Sequence, residues 1–445
     1  MKIKKGEKLR KPRLKPFLAI AISISFVFCI PKAHAENEDI TEAGDYLQII
    51  LPAIAGLSTF VAGNPEGGWV DREGLYQFTK SLSSSLVTMG IGKQVSKKLR
   101  PDASDNASHP SGHTTAAFAG AGFIDQRYGH GWGIPALLAA GFVGYSRVQS
   151  YNHFMDDVTA GASIGMMYNW LFVTPQSESS NVFVLPMVVD GGYGLSLNVT
   201  DGIKTGAKVK QSAFKTPKFR YDFLFGPAFL DKNEITASSD TGTTFDLADF
   251  DKINDPTSTA AIDFSYYMDD RHTFSLYFSP YESRDVGTFK RPVSYDGKIF
   301  PADTTIYSDW LFYELRAGWH YNLTPASSWD VKVGAALAYQ YLETSLEMAS
   351  GSVSGKVKEN LFLPLLNATL RYHITPKFSA GIRAEGMYLS NNSSLEAGAF
   401  LNYRVTERWD FTAGYTYWQR NIDTSDIKND VVYYAPYLGV AFSWL

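Results

Sequence analysis

The spacing of apolar residues changes once along this chain, and the change divides it in two. From Glu36 to about Val173 the spacing is helical. Leu47, Ile50, Leu51, Ile54 and Leu57 share one face, Thr115 to Ile124 is a run of small residues, and Asp156 to Leu171 continues apolar on one side. Glycine and alanine crowd Ala116-Ala117-Phe118-Ala119-Gly120-Ala121-Gly122, which lets helices approach closely. A compact all-α bundle is therefore expected over residues 36–173. Thr174 to Asn181 has the composition of a linker.

From Val182 to Leu445 the period becomes two. Trp329, Val331, Val333, Ala335, Leu337, Tyr339 and Tyr341 alternate with Asp330, Lys332, Gly334, Ala336, Ala338 and Gln340. Tyr313 to Tyr321 and Trp409 to Tyr417 repeat the pattern. Short turns at 269–271, 375–377 and 406–408 alternate with long polar connections at 231–256 and 285–304, the asymmetry of an antiparallel transmembrane β-barrel. About ten strands stand out from Phe219 onward. A further pair over Val182 to Asn198 makes twelve the expected number, with ten the alternative. The face carrying Glu314, Arg316, Lys332, Arg383 and Glu385 suits a wet lumen, or a salt-bridged filling in a barrel of this size. The closing alternation Leu438, Val440, Phe442, Trp444 is followed by Leu445, one position out of register with an aromatic ending.

Residues 1–35 look like a signal peptide: a basic run up to Lys15, an apolar run from Phe17 to Ile30, and Ala33-His34-Ala35 for cleavage. The single cysteine, Cys29, lies inside it, so no disulfide is expected in the mature chain. Elsewhere Tyr46 to Ala62 and Ile134 to Val143 look too short or too interrupted to cross a membrane as helices, leaving a barrel as the expected mode of insertion. A formal net charge of −4 gives no reason to expect nucleic acid as a partner.

Three polar clusters interrupt the helical half. Lys93 and Arg100 are seven apart, two turns along one helical face if the helix runs to Pro101, and together they offer a point charge and a planar fork to phosphate oxygens. Pro110-Ser111-Gly112-His113 precedes a helix whose free N–H groups suit an anion, with Ser111 adding a hydroxyl and His113 placed to protonate a departing alkoxide. His153 and Asp157 are four apart, so the carboxylate can hold one ring nitrogen and leave the other as a nucleophile. Arg147 lies six residues earlier. His109 and His130 are given no role. Taken singly, each cluster has an ordinary structural explanation.

Together, in this order and spacing, they resemble the type-2 phosphatidic acid phosphatase and vanadium haloperoxidase superfamily. Its pattern is Lys, six residues, Arg-Pro; Pro-Ser-Gly-His; and Ser-Arg, five residues, His, three residues, Asp. Lys93, Arg100, Pro101, Pro110, Ser111, Gly112, His113, Ser146, Arg147, His153 and Asp157 fill every fixed position. The resemblance implies a phosphohistidine intermediate on His153 oriented by Asp157, and proton donation by His113. It also implies phosphate held by Lys93, Arg100, Ser111, Gly112 and Arg147, with no metal or other cofactor.

The expected activity is hydrolysis of phosphate esters or diphosphates of envelope lipids: a lipid A phosphate, phosphatidylglycerol phosphate, phosphatidic acid or an isoprenoid diphosphate. The alternatives are a broad-specificity periplasmic acid phosphatase acting on small phosphate esters, a vanadium-dependent haloperoxidase, or a transport barrel. The expected place is the outer membrane of a Gram-negative bacterium, with the catalytic domain in the periplasm.

Overall fold

The computed structural model describes residues 38–61, 70–176, 181–189, 192–200, 217–237, 242–252, 256–325, 327–389 and 391–444. The expected leader lies outside them. Five helices come first: α1 (Glu38–Val61), α2 (Arg72–Ser96), α3 (Gly112–Tyr128), α4 (His130–Gln149) and α5 (Met155–Phe172). Asp71 starts α2 by accepting the Gly74 N–H at 2.9 Å, and Ser111 caps α3. The bundle closes over Leu51, Ala55, Phe78, Phe123, Ile124, Ala140 and Val143. Small residues set its tightness. A Cβ on Gly120 would lie 2.7 Å from the Pro52 nitrogen, and one on Gly165 would lie 2.8 Å from the Ala119 nitrogen.

One expectation about these helices fails. α1 starts eight residues before Tyr46, reaches 24 residues, and over Asp39–Val61 is long and apolar enough to cross a membrane by length and composition. Gln48, Gly56, Ser58 and Thr59, which made the stretch look interrupted, all lie within the helix.

The strands are β1 (Asn181–Val189), β2 (Gly192–Thr200), β3 (Phe219–Ala237), β4 (Phe245–Asp246), β5 (Asp251–Lys252), β6 (Thr257–Tyr267), β7 (His272–Thr288), β8 (Val293–Tyr295) and β9 (Lys298–Phe300). They continue with β10 (Thr305–Asn322), β11 (Trp329–Met348), β12 (Ser354–His373), β13 (Phe378–Leu389), β14 (Asn392–Arg404), β15 (Trp409–Asp423) and β16 (Ile427–Trp444). Ten of them close a ring in the order β3, β6, β7, β10 to β16 and back to β3, every neighbour antiparallel, with Trp444 opposite Phe219 at the seam. The alternative of ten is therefore the observed number, not twelve. β1 and β2 form where the extra pair was expected, but as a separate two-stranded sheet. Both edges of β3 are already used by β6 and β16, so the ring has no free edge to take them.

The lumen is filled. Arg316 pairs with Glu314 and Glu396 at 2.7 Å each and with Glu385, while Arg420 holds Glu314 at 2.9 Å and Arg383 holds Glu396 at 3.0 Å. The cavity beside them measures only about 60 Å³. Toward the end bearing the long connections, Trp310, Phe312, Leu342, Leu346 and Trp418 pack inside against Leu247, Phe250, Phe289, Tyr295 and Phe300 from those connections. The salt-bridged filling holds, and the wet pore does not.

The outward face carries the exposed apolar residues Phe225, Phe274, Trp319, Val333, Leu337, Phe362, Leu366 and Leu438. α5 lies along this face. Ala160 packs with Phe223 and Ala260, Ser163 meets the Tyr221 hydroxyl at 2.8 Å, and Trp170 contacts Tyr221, Phe442 and Trp444. At the opposite end of the helix, the Met155 N–H donates to Glu282 on β7 at 3.3 Å. Phe223, on the same outward row as the exposed Phe225, is buried because α5 covers it.

Candidate active site

The functional side chains gather where α1 begins, α2 ends, α3 begins, α4 ends and α5 begins. α2 stops at Ser96, and Lys97 turns the chain through φ 47° while donating back to the Lys93 carbonyl at 3.2 Å. Arg100 is therefore not on the helical face of Lys93. The extended segment after the turn carries it to the site instead, where Nη1 donates to the Asn152 carbonyl at 3.0 Å and lies 3.1 Å from His153 Nε2. Lys93 Nζ donates to the Ala107 carbonyl.

His153 precedes α5 and does not share a helical face with Asp157. Asp157 sits in the first turn, accepts the Phe154 N–H at 2.9 Å, and lies 3.5 Å from His153 Nδ1. A guanidinium has only N–H groups to offer, so His153 Nε2 is the acceptor, and the ring hydrogen falls on Nδ1, toward Asp157 and Ser108 Oγ. Burial holds His153 below the ordinary histidine range, and the charges of Arg100 and Lys93 add to the effect against Asp157. The ring is thus neutral at neutral pH, with its Nε2 lone pair facing the Arg100 guanidinium.

Ser111 caps α3, and its own N–H donates to the Asp157 carbonyl at 2.9 Å, which ties the second cluster to the third. Next to it, Gly112 leaves the helix start open. The nearest atoms to a Cβ there would belong to Met89 and Lys93, at 3.5 Å or more. His113 Nε2 lies 3.4 Å from Asp45 Oδ1. Burial first, and the Arg147 charge second, push His113 down to about 4, and Arg100 and His153 also act on it. Arg147 is buried, donating to Asp45 at 2.7 Å, to the Thr41 carbonyl at 2.8 Å and to Ser146 Oγ at 3.1 Å. Lys93, Arg100, His113, Arg147, His153 and Asp157 are thus within electrostatic reach of one another, and neither arginine points into open solvent.

Sequence reasoning missed four participants. Lys98 is buried and bonds Asp156 at 2.6 and 2.8 Å and Asp157 at 3.2 Å. Burial alone favours its neutral form, but the two carboxylates outweigh this and keep it charged. His109, given no role, sets Nδ1 3.1 Å from Asp157 and 3.5 Å from Asp156. Opposing its burial, those carboxylates raise its affinity for a proton. Asp157 in turn stays well below the usual carboxylate range, since Lys98 and His109 outweigh its own burial. His109, Asp156 and Asp157 have donor atoms close enough to share a metal, but the Lys98 ammonium is bonded to both carboxylates. The fourth is Asp45 on α1, which reaches the site because Gly44 has no side chain: a Cβ there would lie 1.9 Å from Ser146 Oγ. His130 stays apart, paired with Asp125 at 2.6 Å.

Comparison with known proteins matches the same region. A lipid A 1-phosphatase of Porphyromonas gingivalis is 37% identical over 128 residues, 28% of this chain and 28% of that protein. A lipid A 4'-phosphatase of Helicobacter pylori is 29% identical over 153 residues, 31% of this chain and 75% of that protein. The chain thus spans little more than a quarter of the first relative's length. Over the barrel, the outer membrane protease OmpT of Escherichia coli overlays with a TM-score of 0.36 at 8% identity, covering 53% of this chain and 99% of that one. The profile of the PAP2 superfamily matches residues 69–179, the span from the start of α2 past the end of α5, and this part of the chain is a PAP2 superfamily domain.

Proposed function

We propose that the chain is a phosphatase of phosphorylated envelope lipids, working through a phosphohistidine on His153. The observation that carries this is the His153 Nε2 lone pair, 3.1 Å from the Arg100 guanidinium, on a ring whose other nitrogen faces Asp157. A phosphate entering between Arg100 and the ring takes over the guanidinium donors and meets the lone pair in line. Lys93, Arg147, Ser111 and the first N–H groups of α3 supply the remaining donors.

Nε2 attacks phosphorus, the ester P–O bond breaks, and the leaving alkoxide takes a proton from His113. Asp157 holds the Nδ1 hydrogen and stabilises the positive charge on the ring. His113, now neutral, removes a proton from water, which attacks the phosphohistidine and releases inorganic phosphate. The family relatives act on lipid A phosphates, and a lipid A phosphate, phosphatidylglycerol phosphate, phosphatidic acid or an isoprenoid diphosphate is the substrate class proposed here.

An outer-membrane position is supported by the barrel itself, with its closed ring, outward apolar face and charged filled interior. The test is phosphate release by the purified protein in detergent from those lipids and from p-nitrophenyl phosphate. The expected result is turnover of at least one lipid, abolished in His153→Ala. Wild-type turnover in that variant, or release from soluble ester alone, overturns the proposal.

A further inference from the structure

The helical domain rests on the outward wall of the barrel, the wall that faces lipid. The strand ends near Phe219, Tyr266, His272 and Trp444 carry the chain termini of the barrel and the turns 268–271, 323–328, 374–377 and 405–408. The opposite end carries the two long connections, 238–256 and 289–304. Long connections belong to the exterior and short turns to the periplasm.

α5 runs from the short-turn end up to the level of Glu282 on β7. Trp170 stands among Phe442 and Trp444 at the short-turn end, and Met155 reaches Glu282, four residues beyond Phe278 toward the long-connection end. Glu282 also bonds the Tyr313 hydroxyl, and Tyr313 stacks on Tyr341 in the aromatic row bounding the apolar face there. Arg284, one outward position further, pairs with Asp309 at 2.7 Å and donates to the Pro101 carbonyl beside Arg100. From Trp170 to Met155 is about 22 Å of helix, comparable with an apolar band about 25 Å tall.

The other helices run between the same two levels. No charged residue lies in 46–61 of α1, 81–92 of α2, 114–124 of α3, 131–146 of α4 or 158–172 of α5. These stretches carry Ile49, Ile54, Leu57 and Phe60 on α1 and Val87 and Ile91 on α2, all exposed. The charged groups gather at the helix ends, and the catalytic ones all lie at the end beside Glu282 and Arg284.

We propose that acyl chains of the outer membrane cover the free apolar faces of α1 and α2, and that the active site opens at the head groups of the outer leaflet. The substrate is then a phosphorylated lipid of that leaflet, entering sideways from the bilayer. This rests on the phosphatase reading above and puts the site on the side opposite to the periplasm expected from sequence. The occupant follows from continuity: α5 already shares a wall with the lipid-facing rows of β3 and β6, so α1 and α2 meet the same solvent at the same depth.

The test uses single cysteines in a chain whose own cysteine, Cys29, lies in the expected leader. Ser104→Cys sits in the exposed loop after Arg100, Ser425→Cys at the long-connection end of the barrel, Lys377→Cys at the short-turn end, and Val87→Cys midway along α2. With a membrane-impermeant maleimide, Ser104→Cys and Ser425→Cys are expected to label on intact cells. Lys377→Cys labels only after the outer membrane is permeabilised, and Val87→Cys in neither condition. If Ser104→Cys follows Lys377→Cys or never labels, if Ser425→Cys is shielded on intact cells, or if Val87→Cys labels readily, the proposal fails. Phosphate release by the same purified variants tests the phosphatase reading separately, since a wrong location leaves it intact.

Discussion

Lys98→Met removes one charge from the centre of the site, with the hydrogen bonds it donates to Asp156. The methionine stem can still lie on the Phe154 ring, over which the ammonium sits at 4.4 Å. What remains is Asp156 and Asp157, side chains 1% and 0% exposed, with the His109 ring 3.5 and 3.1 Å from them. At 2.6 and 3.2 Å, and an effective dielectric of about 20, each lost attraction is about 5–6 kcal/mol. Most of that offsets the cost of burying the charges, and breaking one partner of such a group costs about 3–5 kcal/mol net. The assay is thermal unfolding of the helical circular dichroism signal in detergent, with turnover measured on the same sample. The expected loss is largest near pH 8 and smaller near pH 5, because the orphaned carboxylate pair relaxes by taking up a proton. Turnover falls at least about tenfold, since Asp157 then holds the His153 ring less firmly. Adding Asp156→Asn removes the excess charge and recovers most of the stability. A single variant within about 0.5 kcal/mol of wild type with unchanged turnover would refute the reasoning.

Two further outcomes follow from the geometry. Gly112→Ala has room in the fold and is expected to unfold as wild type does, within about 0.5 kcal/mol, while KM for the phosphate ester rises about tenfold, because the methyl stands where the oxygens approach the helix start. An unchanged KM would remove the helix start from the binding site. His113, pushed down to about 4, is unprotonated at neutral pH, so its proton must arrive with the substrate, whose second ionisation lies near pH 6. Because burial also keeps His153 neutral below its ordinary range, kcat/KM should rise as pH falls from 8 to about 5; a profile flat to pH 9 would exclude His113 as the acid.

The clusters around Lys93, Ser111 and His153 stood out in the sequence through their resemblance to a family pattern, and the fold brings them together. The strands were legible because the lipid face imposes a period of two. How Arg100 and His153 reach the site was not, since both depend on turns, at Lys97 and before Met155, that no periodicity announces. Lys98 and His109 stayed hidden because their partners are acidic residues 58 and 48 positions away. Twelve was preferred over the alternative of ten because β1 and β2 have the spacing of barrel strands, and only closure of the ring between β3 and β16 excludes them. Asp45 escaped notice because it depends on the absence of a side chain at Gly44.

The lumen's ion pairs and the apolar stopper above them bear on what the cylinder is for. With its middle filled by side chains, the cylinder offers a rigid wall, and the candidate site lies in the bundle fastened along its flank. If the site opens at the outer leaflet as proposed, a lipid handled there stays in its own monolayer, and the reaction changes the charge of a surface without moving any lipid across it.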